Sequence, residues 1–160
     1  MECKMRIGEG FDVHRLADGL PLILGGVRID HTKGCVAHSD GDVLVHAICD
    51  ALLGAAALGD IGKHFPDSDP RYRGIDSLVL LSEVVALLRQ RGYRVVNIDS
   101  TIRAQRPKLR DVIDSMRERI AAAMGIDVDR VSIKATTTEE LGFEGLQQGI
   151  SASAIALIVG

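Results

Sequence analysis

Apolar and polar positions divide this chain into a series of short elements. Arg6–His14 reads as a strand, with Gly8 and Gly10 marking close backbone approach or a bulge. Leu22–Ile29 reads as a second strand, joined to the first by a turn around Asp18-Gly19. Leu44–Leu58 has the apolar spacing of a helix; Ser39 offers its N-cap, Asp42 places negative charge at N3, and Gly59 stops it. Gly59–Gly74 is polar and punctuated by Gly and Pro, and loops of that length in compact domains are more often functional than idle. Leu78–Arg91 reads as a second helix, capped by Asp76 or Ser77 and ended by Gly92. Tyr93–Gln105 is a long strand. Pro107 opens a third helix that ends near Met124, with Gly125 as its stop. Val131–Thr137 and Ile150–Val159 are the last strands. The order ββ-α-α-β-α-β-β predicts an α/β fold of two layers (an α+β sandwich). A small mixed four-stranded sheet with a β-hairpin carries its helices on one face, in a single domain over 1–160.

Composition narrows the function classes. The net charge of -3 gives no general attraction to nucleic acid or anionic membrane. Aromatic residues are 3% of the chain and Trp is absent, which disfavours base-stacking platforms. Cys3, Cys35 and Cys49 are odd in number and lack a C-x-x-C spacing, so they suggest neither a disulfide framework nor a thiolate metal site. Cys49 falls in the apolar helix and reads as core. No secretory leader precedes the first motif, and no uncharged apolar run reaches ~18 residues, so a cytoplasmic protein is expected.

Candidate chemistry gathers at three places. Asp12 and His14 are two apart, which puts both side chains on one face of a strand. His46 belongs to the apolar helix, where Asp42, His46 and Asp50 form a polar stripe at i, i+4, i+8. A carboxylate and two imidazoles from two elements make a plausible three-ligand metal site with one open position. The plainer reading is a strand-end carboxylate and a satisfied core histidine. Carboxylates flanking a buried histidine would fix its tautomer, which favours the metal. His38 and Ser39 precede the helix; Ser39 suffices as a cap, and His38 is either an anion donor or simply solvated. His31 and His64 read as structural. The second place is Lys134–Phe143, where three threonines, a lysine and an acidic pair leave a strand end; an exposed strand or a phosphate and cation site both fit. The third is Ala104–Leu109, where cations and Pro107 sit at a strand-to-helix junction suited to an anion.

Taken together, several segments resemble one family. They are Arg6-Ile-Gly-x-Gly-Phe-Asp-Val-His14, Leu24-Gly-Gly-Val27, Ala37-His-Ser-Asp-Gly-Asp-Val-x-x-His-Ala47, Asp50 through Gly62, Phe65-Pro-Asp-x-Asp69 and Lys134-Ala-Thr-Thr-Thr-Glu-x-Leu-Gly-Phe143. These resemble the 2-C-methyl-D-erythritol 2,4-cyclodiphosphate synthases of the non-mevalonate isoprenoid pathway, from Arg6 to about Val159. The resemblance implies a lyase acting on 4-diphosphocytidyl-2-C-methyl-D-erythritol 2-phosphate. Attack of the 2-phosphate on the β-phosphorus closes the cyclic diphosphate and releases CMP.

The same resemblance implies the site. Asp12, His14 and His46 match the family's zinc ligands, and Glu139 matches the ligand of a second divalent cation, magnesium or manganese. His38 and Thr137 match positions that stabilise the transition state. Ser39, Asp60, Ile61, Gly62, Phe65, Pro66, Asp67, Ser68 and Asp69 match contacts to the methylerythritol phosphate. Ala104, Gln105, Arg106, Pro107, Lys108, Leu109 and Arg110, with Thr136, Thr137 and Thr138, match the cytidine-side pocket. Asp12, Val13, His14, His38, Glu139 and Phe143 join the substrate contacts. A homotrimer with sites between subunits is implied, with no nucleic-acid or membrane partner.

Physically, a phosphate nucleophile is already anionic and needs no strong base. The task is bringing anions together, by local positive charge that includes Lys108 and Lys134. A zinc hydrolase of phosphate esters would use the same three ligands and is the alternative. Two departures stand out. Glu9 occupies a variable position, and Leu146 and Gln148 replace an Arg and a Glu found in many bacterial relatives. That Arg is associated with an isoprenoid diphosphate site on the trimer axis, so such a ligand is expected to bind weakly or not at all. The short N-terminus leads us to expect a chain without a fused cytidylyltransferase domain.

Overall fold

The computed structural model describes residues 4–160; Cys3 lies outside the described residues. Strand β1 (Met5–Asp18) forms the spine, longer than the periodicity suggests. It pairs antiparallel with β7 (Gly149–Val159) from Met5↔Val159 to Arg15↔Gly149. Strand β7 pairs antiparallel with β5 (Arg94–Arg103), and β5 pairs parallel with β6 (Val131–Thr136). Strand β4 (Lys33–Cys35), not evident in the sequence, adds to the far end of β1. The mixed sheet therefore has five strands, in the order β4-β1-β7-β5-β6, rather than the four expected.

Leu22–Ile29 is not one strand. It splits into β2 (Leu22–Leu24) and β3 (Val27–Ile29), a separate hairpin folded at Gly25 and Gly26. Both glycines have positive φ, 58° and 73°, the backbone that a tight two-residue hairpin turn demands.

Helices cover one face of the sheet. Helix α1 (Val43–Ala55) is buried on all but its Asp50 and Gly54 edge because it lies against β1 and β7 on one side and α3 (Ser77–Gln90) on the other. Glycines in β1 set how close it comes. A Cβ at Gly8 would sit 2.0 Å from the Ala51 carbonyl oxygen, and one at Gly10 would sit 2.0 Å from that of Ala47. Alternate residues Ile150, Ala152, Ala154, Ala156 and Ile158 of β7 face the helices and are buried.

Three helix boundaries differ from expectation. Asp42, not Ser39, is the N-cap of α1, since its carboxylate accepts Val45 N–H at 3.1 Å. A charged acceptor beside the first free N–H groups outcompetes a hydroxyl three residues earlier. The helix ends at Ala55, short of Leu58, and the chain turns through Ala57 with φ 57°. Pro107 opens no helix: Leu109 is buried, a 3₁₀ turn spans Arg110–Val112, and the apolar period begins only with α4 (Ile113–Met124). Gly125 closes α4 in the left-handed conformation, as its position suggests. The 59–74 loop holds a short helix, α2 (Ile61–His64), and a turn at Pro70–Tyr72. Helix α5 (Gly142–Gly145) precedes β7.

Candidate metal centre and substrate pockets

Because Gly10 admits the α1 backbone at Ala47, the adjacent His46 reaches the β1 side chains. His46 Nδ1 lies 3.0 Å from Asp12 Oδ2 and 3.2 Å from His14 Nε2. His14 Nε2 lies 3.0 Å from the same Asp12 oxygen. The carboxylate oxygen can accept from both ring nitrogens, so hydrogen bonds account for two sides of this triangle; the third side sets two ring nitrogens 3.2 Å apart. A tetrahedral ion with ligand bonds of ~2.0–2.1 Å wants ligand atoms ~3.3 Å apart. The three side chains therefore fit a divalent metal, in the arrangement the spacing predicts. Burial works to raise the Asp12 carboxyl, but its hydrogen bonds with His14 and His46, and their charge, hold it well below the usual range. Burial likewise opposes protonation of His46, and the hydrogen bond and charge of Asp12 overcome it and raise its pKa.

The partners of His46 are not the ones its helix suggests. Asp42 points away and accepts Gly25 N–H at 2.9 Å and Gly26 N–H at 2.7 Å, fastening the hairpin to α1. Asp50 accepts Ile61 N–H at 2.8 Å and anchors α2. Instead, His46 Nε2 lies 2.8 Å from Ser77 Oγ and 3.2 Å from Ser39 Oγ. Ser77 and its neighbour Asp40 were missed as site residues: the sequence shows them only as a cap and a loop acid.

Beside the triad lies a small cavity of about 40 Å³ lined by His38, Ser39, His46, Ile61, Phe65 and Asp67, together with Tyr72, Ile75 and Leu80. Of the residues expected on the methylerythritol-phosphate side, Ser39, Ile61, Phe65 and Asp67 line it; Asp60, Gly62, Pro66, Ser68 and Asp69 do not. The Nε2 of His38 is buried there without a partner among the described residues, a polar atom awaiting an acceptor or donor. Phe65 packs edge-on against Tyr72 at 5.4 Å between centroids. Asp60 caps α2 through Lys63 N–H, and Asp69 caps the Pro70 turn and binds Arg71. Gly62, Pro66 and Ser68 are exposed. His64 is structural, as expected, with its Nε2 2.9 Å from the Leu58 carbonyl oxygen.

A second pocket, about 260 Å³, is lined by Ala104, Gln105, Pro107, Lys108, Leu109 and Arg110, with Ile113, Ala135, Thr136 and Thr137. Arg106 is exposed and does not line it. Lys134 departs from expectation: it faces the open side of the sheet and pairs with Asp99. Thr138 Oγ1 donates to the Leu141 carbonyl at 2.7 Å. Glu139 has φ 54° and is exposed; it is not part of the Asp12, His14 and His46 cluster within this chain. Phe143 lines a third pocket with Val13, His14, Arg15 and Lys33.

Register sets the distance between the halves. Asp12 pairs with Ala152, Ala152 with Ile102 and Ile102 with Ala135. Three strand spacings make roughly 14 Å, so one chain's triad and threonine pocket share an end of the sheet without touching.

The YgbB family model matches residues 5–159. The 2-C-methyl-D-erythritol 2,4-cyclodiphosphate synthase of Azotobacter vinelandii is 61% identical over 97% of this chain and 99% of its own. A CDP-bound structure of a 2C-methyl-D-erythritol-2,4-cyclodiphosphate synthase superposes with a TM-score of 0.88 at 40% identity, covering 96% of this chain and 99% of that one. The bifunctional IspDF of Campylobacter jejuni superposes with a TM-score of 0.95 at 42% identity; the alignment covers 99% of this chain and 43% of that longer one.

Proposed function

The chain belongs to the YgbB family, and from that premise we infer that it is a 2-C-methyl-D-erythritol 2,4-cyclodiphosphate synthase of isoprenoid biosynthesis. Its substrate is 4-diphosphocytidyl-2-C-methyl-D-erythritol 2-phosphate. An oxygen of the 2-phosphate forms a bond to the β-phosphorus, the bond from that phosphorus to the CMP oxygen breaks, and CMP leaves with the electron pair. The observation that carries this reading is the meeting of Asp12, His14 and His46 beside a cavity bearing the unpartnered His38 Nε2.

The chain's own groups then have distinct tasks. Asp12, His14 and His46 hold zinc, and Glu139 holds a second cation, magnesium or manganese. Such ions supply Lewis acidity toward phosphate oxygens. His38 and Thr137 donate to charge that develops during transfer. Ser39 and the 60–69 segment seat the methylerythritol phosphate. The pocket from Ala104 to Arg110, with Thr136–Thr138, seats the cytidine, and Lys108 lends it positive charge. Holding both ends of one substrate makes the attack intramolecular.

The assembly is a homotrimer in which each site draws on two neighbouring chains. Supporting this, the helix-free face of the sheet exposes Met5, Ile7, Phe11, Val13 and Ile155, an apolar area that a lone chain leaves in water. No described helix is long and apolar enough to cross a membrane, and Cys35 and Cys49 are free and buried; both suit a cytoplasmic location.

The test is incubation with the diphosphocytidyl substrate, zinc and magnesium, followed by phosphorus NMR. CMP and a cyclic diphosphate in equal amounts are expected. A linear phosphate product would overturn the reading in favour of hydrolysis.

A further inference from the structure

We propose that Ser77 and Asp40 are positioning residues for the metal centre, forming a relay that fixes the tautomer of His46. The argument starts from one proton. Ser77 Oγ lies 2.5 Å from Asp40 Oδ1, and a carboxylate only accepts, so the hydroxyl hydrogen is committed to Asp40. Asp40 cannot turn away, because its Oδ2 accepts Ser77 N–H at 2.8 Å and its Oδ1 accepts Asp42 N–H at 3.1 Å. Ser77 Oγ therefore offers only a lone pair to His46 Nε2, 2.8 Å away. That nitrogen must carry the imidazole hydrogen. The other nitrogen, Nδ1, is left with its lone pair aimed at Asp12 and His14, as a metal ligand requires. Ser77 is fully buried, so water does not compete for the bond. Ser39 Oγ, at 3.2 Å, is the weaker acceptor for the same hydrogen.

The same node ties the metal centre to the substrate loop. Asp40 N–H donates to the Ile75 carbonyl at 3.2 Å, and Gly74 N–H donates to the His38 carbonyl at 2.8 Å. The far end of the 59–74 segment is thus clamped to the strip that carries His38 and Asp40. Ser77, at the first position of α3, joins that clamp to His46.

This inference rests on the metal reading, and chelator competition separates the two. If the wild-type protein takes up no zinc, the metal reading fails. If it does, Ser77→Ala is expected to lower zinc affinity about 10- to 100-fold, the usual cost of losing a partner of a metal-bound histidine. Asp40→Asn is expected to do at least as much without touching His46, because in either orientation its amide sets an N–H against Ser77 N–H or Asp42 N–H and loosens the hold on the Ser77 hydroxyl hydrogen. Ser77→Thr keeps the hydroxyl and should hold zinc like the wild type, and Ser39→Ala should lose less than Ser77→Ala. Nitrogen-15 spectra of the zinc-loaded wild type should show His46 protonated at Nε2. Wild-type zinc affinity in a folded Ser77→Ala variant, or a proton at Nδ1, overturns the relay. If Ser77→Ala does not fold, Asp40→Asn against Ser77→Thr makes the same comparison, and equal affinities overturn it.

Discussion

His46 is the residue on which the site turns, since it brings a helix side chain to Asp12 and His14 of β1. His46→Ala is expected to empty the metal centre and abolish turnover while circular dichroism stays unchanged; a variant that remained active after dialysis against a chelator would refute its role. Acid acts on the same atom. Asp12 raises the His46 pKa in the metal-free protein, so protons compete with zinc at a pH above the ordinary histidine value. Zinc affinity should therefore begin to fall as the pH drops through neutrality, and a chelator titration at several pH values would show it; an affinity flat from pH 8 to 6 would contradict it. A third residue-level prediction concerns Leu146, which is 64% exposed beside α5 and brings no charge. With Gln148 it stands where the resemblance leads us to expect an Arg and a Glu. Calorimetry should find geranyl diphosphate binding weak or absent, and Leu146→Arg with Gln148→Glu should strengthen it.

At the scale of elements, the fit of α1 on β1 depends on missing side chains. Gly10→Ala would drive a Cβ to 2.0 Å from the Ala47 carbonyl oxygen and 2.7 Å from the Ala51 nitrogen. Both are backbone atoms, so α1 must move and carry His46 with it. The variant should lose stability and zinc together, measured by melting and by metal content. Gly54→Ala, in the same helix, meets nothing closer than 3.7 Å and should stabilise by about 0.5–1 kcal/mol, the usual gain of replacing a helical glycine. Such fits explain what could be read from the chain beforehand. Apolar period and stop residues located α1, α3, α4 and the three late strands, and Gly8 and Gly10 announced a close approach. The Gly25-Gly26 turn was legible but overlooked: a Gly-Gly pair between Leu22-Ile-Leu24 and Val27-Arg-Ile29 is a two-residue hairpin signal, yet each flanking run is too short to read as a strand by itself. Asp42 and Asp50 share a helix face with His46 in projection, yet each is drawn off by backbone N–H groups from distant segments. Ser77 reaches His46 across a separation of 31 residues, which no local period encodes.

For the whole molecule, the decisive fact is that the Asp12, His14 and His46 cluster and the threonine pocket belong to one chain but lie three strands apart. A substrate pinned at both ends either stretches across one sheet or bridges two copies. The two arrangements differ in what a mixture can do. His46→Ala removes the metal half, and Thr137→Ala with Lys108→Ala damages the pocket half; each protein alone should be inactive. If every site lies within one chain, co-refolding the two yields no active site. If each site takes its metal from one chain and its pocket from the next, random mixing in equal amounts restores about a quarter of the sites, because each half is intact with probability one half. The same assembly predicts that a charge on the open sheet face is costly. Ile155→Glu, at a side chain now 54% exposed, should leave metal content unchanged, since all three ligands are in one chain, but should shift light scattering from trimer to monomer and remove turnover. A monomeric Ile155→Glu variant with full activity would show that one chain suffices, and the mixing experiment would then return nothing.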